Sequence, residues 1–244
     1  MAAPTMNSTA HNDLAKEFVK RLGDLQRLEG WRESEAFFAW LEAAARALIG
    51  ASLVGYKEEW QKNEDSFLRI EKHWQKRADT KSVMAEMTGI VMLALSKDPV
   101  DFLSPLFMDV GGSGHLGQFF TPWSVSTMMA EMTVGSKEEL FESATKNGRD
   151  YISLSEPACG VGGMVLAANE VMRKRGIDIS SQILWHCVDV DWRAVCGTFI
   201  QTTLTGTPAV VIHGNTLTLQ QHSAYMTAAA QRMLSAHKTT PKAA

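Results

Sequence analysis

Apolar positions along the chain follow two regimes. Over roughly the first hundred residues they recur at helical spacing. Phe18, Leu22 and Leu25 make one stripe of a helix predicted over residues 14–28, with Asn12 or Asp13 as its cap and Gly30 as its stop. Ser34 opens a stronger helix, with Phe37, Phe38, Leu41, Ala44, Ala45 and Leu48 on a broad apolar face and Gly50 at its end. A third helix is predicted over 57–76 with Trp60, Phe67, Ile70 and Trp74, and a Met- and Ala-rich fourth over 81–95, after which Asp98-Pro99 closes the bundle. Residues 1–12 are polar and read as a disordered tail, so a helical N-terminal region is predicted over 13–97.

Beyond residue 150 the apolar runs shorten. Tyr151, Ile152 and Leu154 predict a strand that stops at Glu156, Ile183–Asp189 a second that ends in an acid, and residues 208–213 a third. Helices are predicted between them, from Met164 and from Trp192 to Leu204, with Asp191 as the cap of the latter. The fold class is therefore α/β: a partial Rossmann-like sheet of about three parallel strands, preceded by a helical region. Residues 101–116 and 133–150 read as connections, with Gly111–Gly114 as a flexible joint that carries no phosphate-loop pattern. In 220–244, Tyr225, Met226, Ala229, Met233 and Leu234 predict a C-terminal helix and a polar tail, with no further strand.

Composition narrows the function classes. With 244 residues, 45% of them apolar, the chain is long enough for one or two cored domains. Its net charge is −3, and Arg173-Lys174-Arg175 is its one short basic cluster, read as cations at a helix C-terminus. A chain of this charge that acts on DNA needs a partner for much of its grip. Trp60, Phe67 and Trp74 are spaced by sevens; base stacking is one use of such residues, but packing along one helix face is favoured. Cys159, Cys187 and Cys196 lack metal-type pairing and suit a reducing compartment, with Cys159 as a packing residue. The absence of a signal segment and of a long apolar run gives a cytoplasmic, membrane-free expectation.

The candidate chemistry centres on the run from Leu154 to Met164. Its strand stops at Glu156, passes Pro157 and Ala158, and turns through Gly160, Gly162 and Gly163 into a helix. Glycines there admit positive φ and let a ligand lie against backbone N–H groups at the helix start. Upstream, Thr121 before Pro122 is placed to cap the helix that starts at Trp123. An acid at the end of the second strand, Asp189, commonly accepts the two hydroxyls of a ribose. The reverse assignment of Asp189 and Asp191 stays open.

These motifs, in this order, resemble the S-adenosylmethionine-binding half of the adenine-specific DNA methyltransferases, most closely the modification subunits of type I restriction systems. The resemblance covers residues 101–219 and implies S-adenosyl-L-methionine as cofactor. It puts Phe119, Phe120, Thr121 and Pro122 at the methionine portion, Glu156, Pro157, Ala158, Gly160, Gly162 and Gly163 in the glycine turn, and Asp189 on the ribose. Asn215 stands where the family places an aspartate that accepts from the adenine amine; Glu156 replaces a usual aspartate and Val161 a usual serine. The family's catalytic loop, an asparagine or aspartate followed by two prolines and an aromatic, has no counterpart, because the sequence contains no Pro-Pro pair. No catalytic residue is assigned. Two readings follow: an adenine-N6 DNA methyltransferase completed by another chain, or an inactive cofactor-binding module that serves as regulator, complex subunit or anti-restriction competitor. A small-molecule methyltransferase is a weaker third. DNA, another subunit and self-association are the partners implied.

Overall fold

The computed structural model describes residues 9–111, 121–146 and 150–239. The chain forms two compact units, Met1–Phe120 and Thr121–Ala244.

The first unit is helical: α1 (Thr9–Glu29), α2 (Glu33–Ser52), α3 (Lys57–Glu71), α4 (Arg77–Lys97) and α5 (Leu103–Gly111). Phe18, Phe37 and Trp40 are fully buried at its centre, and Phe18 meets the Trp40 ring edge-on at 4.7 Å. The Trp40 indole N–H donates to Thr88 Oγ1 at 3.2 Å, which satisfies the one polar atom that this packing buries. Four expectations need correction. α1 starts at Thr9, ahead of Asn12 and Asp13, and Asp13 instead pairs with Lys16 at 3.4 Å. α3 stops at Glu71, so Trp74 lies past its end and folds back edge-on to Phe67 at 5.9 Å, whereas Trp60 remains 40% exposed. The three aromatics therefore do not line one helix. Residues 103–111 are helical, not a connection, because Asp101 Oδ1 accepts the Ser104 N–H at 3.1 Å and Pro105 falls in the first turn, where proline is tolerated. Of the Gly111–Gly114 joint, Gly112, Ser113 and Gly114 lie outside the described residues.

The second unit contains α6 (Trp123–Thr133), α7 (Lys137–Lys146), β1 (Ile152–Glu156), α8 (Gly163–Lys174), α9 (Ile179–Gln182), β2 (Ile183–Asp189), α10 (Trp192–Leu204), β3 (Ala209–Asn215), β4 (Gln220–Met226) and α11 (Ala228–Thr239). The sheet order is β1-β2-β3-β4, parallel through β3 and antiparallel at β4. The three parallel strands are where the sequence places them. β4 corrects the expectation that no strand follows Leu219: residues 220–226 hydrogen-bond to β3, and α11 starts only at Ala228. α7 corrects the loop expected over 133–150.

Alternation along β2 separates the two faces of the sheet. Trp185 donates its indole N–H to Asn169 of α8 at 2.9 Å, and Asn169 donates on to Thr207 at 3.0 Å. Leu184, on the other face, packs with Ala230 and Met233 of α11. The far end of α11 is latched by His237, whose Nδ1 lies 2.6 Å from Asp150 Oδ2 and whose Nε2 lies 3.1 Å from the Ser181 carbonyl. Burial opposes the imidazolium, but these two acceptors outweigh it and raise the His237 pKa. A histidine raised on folding stabilises fully below its ordinary value, and that contribution fades as pH rises through the folded value. The wild-type chain is therefore expected to lead a His237→Phe variant at pH 6 by up to ~1 kcal/mol, since Asp150 is exposed. Denaturant titrations should show that lead shrinking at pH 8; a lead independent of pH would remove the latch.

Candidate functional site

The C-terminal ends of β1, β2 and β3 meet at one edge of the sheet, and their loops are joined by hydrogen bonds. After Glu156, whose carboxylate accepts the Ala158 N–H at 3.3 Å, the chain turns through Cys159–Gly162 with φ of +54° at Gly160 and +96° at Gly162. These are left-handed angles that an L side chain resists. The turn closes with Gly162 N–H on Cys159 O at 2.8 Å, and Cys159 N–H donates to Val188 O at 2.9 Å. Gly160 N–H donates to Asp189 Oδ2 at 2.8 Å, which ties the glycine turn directly to the acid of β2. From the β3 loop, Thr216 Oγ1 donates to Pro157 O at 2.6 Å. Glu156, Pro157, Ala158, Gly160, Gly162, Gly163, Asp189 and Asn215 are thereby assembled at one edge.

The two aspartates separate as the sequence suggests. Asp191 is the N-cap of α10 and accepts the Arg193 N–H at 2.9 Å. Asp189 sits behind it and also accepts the Asp191 N–H at 2.9 Å. Burial pushes the Asp189 carboxyl above the ordinary aspartate range, against the pull of the Asp191 and Gly160 N–H donors, and the Asp191 charge adds to the rise. Burial likewise pushes the Cys159 thiol up to about 12, so it is no nucleophile at neutral pH. Asn215 is engaged locally: its Oδ1 accepts the N–H groups of Leu217 at 2.9 Å and Thr218 at 3.1 Å. Both lone pairs of the carbonyl are thus taken, and accepting a further amine requires this turn to open.

Thr121 does not cap α6. Pro122 occupies the N-cap with no side-chain cap, and Thr121 contributes its carbonyl to Ser126 Oγ at 3.4 Å. α6 packs along α8, and their C-terminal ends are pinned together. Arg175 donates to Val134 O, to Gly135 O at 3.0 Å, and to Glu131 O and Oε2 at 3.1 and 2.9 Å. Helices of 11 and 12 residues that pack together and are tied at those ends run in the same sense, so Thr121 and Pro122 lie at the same end of the pair as Gly162. Phe119 and Phe120 lie outside the described residues. Two of the three cations of the basic cluster are engaged in structure, Lys174 on Glu170 at 2.7 Å and Arg175 in the clamp.

Two residues of α10 escaped the sequence reading. Thr198 Oγ1 donates to Gly160 O at 2.8 Å and Gln201 Nε2 to Val161 O at 2.7 Å. Both side chains are fully buried. The available signal was a polar pair at i, i+3 inside the apolar run that contains Val195, Phe199 and Ile200. Gly197, just ahead of Thr198, lets the helix approach, because a Cβ there falls 2.6 Å from Val161 Cγ1.

A glycine turn bonded to the acid of the next strand, at the C-terminal edge of a parallel sheet, defines a Rossmann-like ligand-binding domain. Residues 107–233 match the family model described as N-6 DNA methylase, more than half of the 244 residues, and the chain belongs to that family. Among solved structures it is similar to a putative class I S-adenosylmethionine-dependent methyltransferase from Listeria monocytogenes, at 17% identity and a TM-score of 0.41. That similarity covers 83% of this chain and 52% of the other, so the chain spans about half the length of that structure. No curated protein matches it. Among the described residues, no helix is long and apolar enough to cross a membrane and no group of His, Cys, Asp and Glu has the arrangement of a metal site.

Proposed function

We propose that the chain is the S-adenosyl-L-methionine-binding part of an adenine-N6 DNA methyltransferase of the type I modification-subunit kind. The Gly160–Asp189 hydrogen bond carries the reading, in a chain that belongs to the N-6 DNA methylase family. The residues present fit the cofactor. Gly162 and Gly163 leave the start of α8 free of side chains for a carboxylate, and an ionised Asp189 accepts from ribose hydroxyls with the lone pairs its two N–H donors leave. Asn215 is the adenine-side residue, once its own turn yields Oδ1. When bound, the cofactor supplies a methyl group on a sulfonium. This chain's residues bind and orient it.

Methyl transfer to adenine needs a base-facing loop, which in this family is an asparagine or aspartate followed by two prolines and an aromatic. The prolines of the 244 residues include no adjacent pair, so that loop belongs to another polypeptide segment. With a net charge of −3, another subunit also supplies much of the grip on DNA. The same observation supports a second reading, a module that binds cofactor without transferring it and acts as regulator, complex subunit or anti-restriction competitor.

Isothermal titration with S-adenosyl-L-methionine is expected to give saturable heat for the wild-type chain and none for Gly160→Asp, where a side chain meets both a left-handed φ and the Asp189 carboxylate. Equal heats from the two proteins would discredit the site. Labelled-methyl incorporation into adenine-containing duplex DNA is expected to stay at background for the 244 residues alone; incorporation above it would overturn the need for a second polypeptide segment.

A further inference from the structure

We infer that Thr198 and Gln201 are positioning residues that orient the glycine turn toward its ligand, an inference that rests on reading that turn as the cofactor cradle. A trans peptide is planar, so each carbonyl points opposite to the N–H that follows it. The Gly160 carbonyl is held by Thr198 Oγ1 and the Val161 carbonyl by Gln201 Nε2, both on α10. Two carbonyl dipoles are therefore drawn into α10 and the Val161 N–H is turned away from it, while the Gly162 N–H closes the turn on Cys159 O. Carbonyl oxygens repel an anionic group and N–H groups attract one, so this rotation decides which sign of charge the turn presents.

The orientation of the Gln201 amide follows from its partner, since a backbone carbonyl only accepts and the atom facing Val161 O must be the amine. Gln201 and Thr198 each have 0% exposure. A leucine or valine would fill the same volumes and avoid the desolvation cost of a buried polar group, so the polar side chains act through the bonds they make. Asp189 holds Gly160 N–H from β2 while α10 holds the carbonyl of the same residue. The turn is gripped from two elements.

The test uses the full chain with variants Gln201→Leu, Gln201→Glu, Thr198→Val and Thr198→Ser, each checked for folding by circular dichroism and thermal melting. S-adenosyl-L-methionine affinity by calorimetry is expected to fall about tenfold for Gln201→Leu and Thr198→Val, the loss of about 1.4 kcal/mol expected from one buried hydrogen bond. Thr198→Ser is expected to recover it. Gln201→Glu separates positioning from packing. A carboxylate cannot donate to Val161 O, but a protonated carboxyl can, and the full burial of this position raises the pKa of a glutamate placed there. Its affinity relative to wild type, measured at the same pH so that the titration of Asp189 cancels, is expected to recover as pH falls from 8 to 6. Amide signals of Val161 and Gly162 in nitrogen-15 spectra report the turn without ligand and are expected to shift in Gln201→Leu. Wild-type affinity in a folded Gln201→Leu, a flat pH ratio for Gln201→Glu, or unmoved amide signals would each overturn the inference. Absence of cofactor heat from the wild-type chain removes the proposed function instead, and the amide signals then decide whether α10 sets the turn.

Discussion

Replacing Glu29 with alanine is expected to cost the N-terminal unit about 3 kcal/mol, because one buried carboxylate serves three donors of another helix start. Glu29 is 2% exposed and accepts the N–H groups of Gln75 at 2.6 Å and Lys76 at 3.1 Å and the hydroxyl of Thr80. Lys76 is the N-cap of α4 and makes no side-chain cap of its own. The last residue of α1 therefore stands in for that cap, with an anion where the α4 dipole is positive. Burial works against ionisation, yet the Thr80, Gln75 and Lys76 donors outweigh it and hold the Glu29 carboxyl below the usual glutamate range. The sign follows: its stabilisation is present above the ordinary glutamate value and is lost as pH falls through the lower folded value. Glu29→Gln, which keeps an accepting oxygen, should lose roughly half as much. Denaturant unfolding followed by tryptophan fluorescence checks both. A Glu29→Ala protein within about 0.5 kcal/mol of wild type would show that the three donors find water instead.

Gly197→Ala is expected to destabilise the second unit by about 2 kcal/mol, the cost of overpacking a closed contact. A methyl there falls 2.6 and 2.7 Å from Val161 Cγ1 and Cβ, and 3.3 Å from its Cα. The neighbour that must move is backbone-linked and fully buried, so relief requires the glycine turn to shift against α10. Cofactor affinity should fall with stability. By contrast, Gly89→Ala in α4, whose Cβ meets nothing within 4 Å, should be neutral or slightly stabilising. Thermal melts of the two variants side by side make the comparison, and equal melting temperatures would mean that Val161 relaxes at no cost.

The parallel strands and the glycine turn were legible because buried parallel strands read as short apolar runs and because left-handed turns demand glycine. β4 was not. In Gln220–Met226 the residues are largely exposed or half-buried, and only backbone pairing with β3 makes the segment a strand. α7 was legible and overlooked. Ser136 and Glu139 form a capping box, with Ser136 N–H on Glu139 Oε2 at 2.8 Å and Glu139 N–H on Ser136 Oγ at 3.2 Å, and the Ser-Lys-Glu-Glu run announces it. Thr121 misled because proline was given the first helical position, whereas Pro122 takes the cap itself. At the site, each strand end could be placed from sequence, but the partners of its polar atoms could not. That Asn215 spends its carbonyl on Leu217 and Thr218, and that Gln201 reaches Val161 forty residues away, are properties of the folded turn.

The Arg175 clamp has an electrostatic consequence. Two helices that run side by side in the same sense set like ends together, which is unfavourable unless something intervenes. A guanidinium lodged against the carbonyl ends of α6 offsets the crowded negative poles. At the opposite end the built-in charge has the other sign, because the Asp189 carboxylate accepts the Gly160 N–H in the turn that leads into α8. Removing the guanidinium therefore leaves those carbonyl ends facing one another and loosens the side-by-side pairing of α6 with α8.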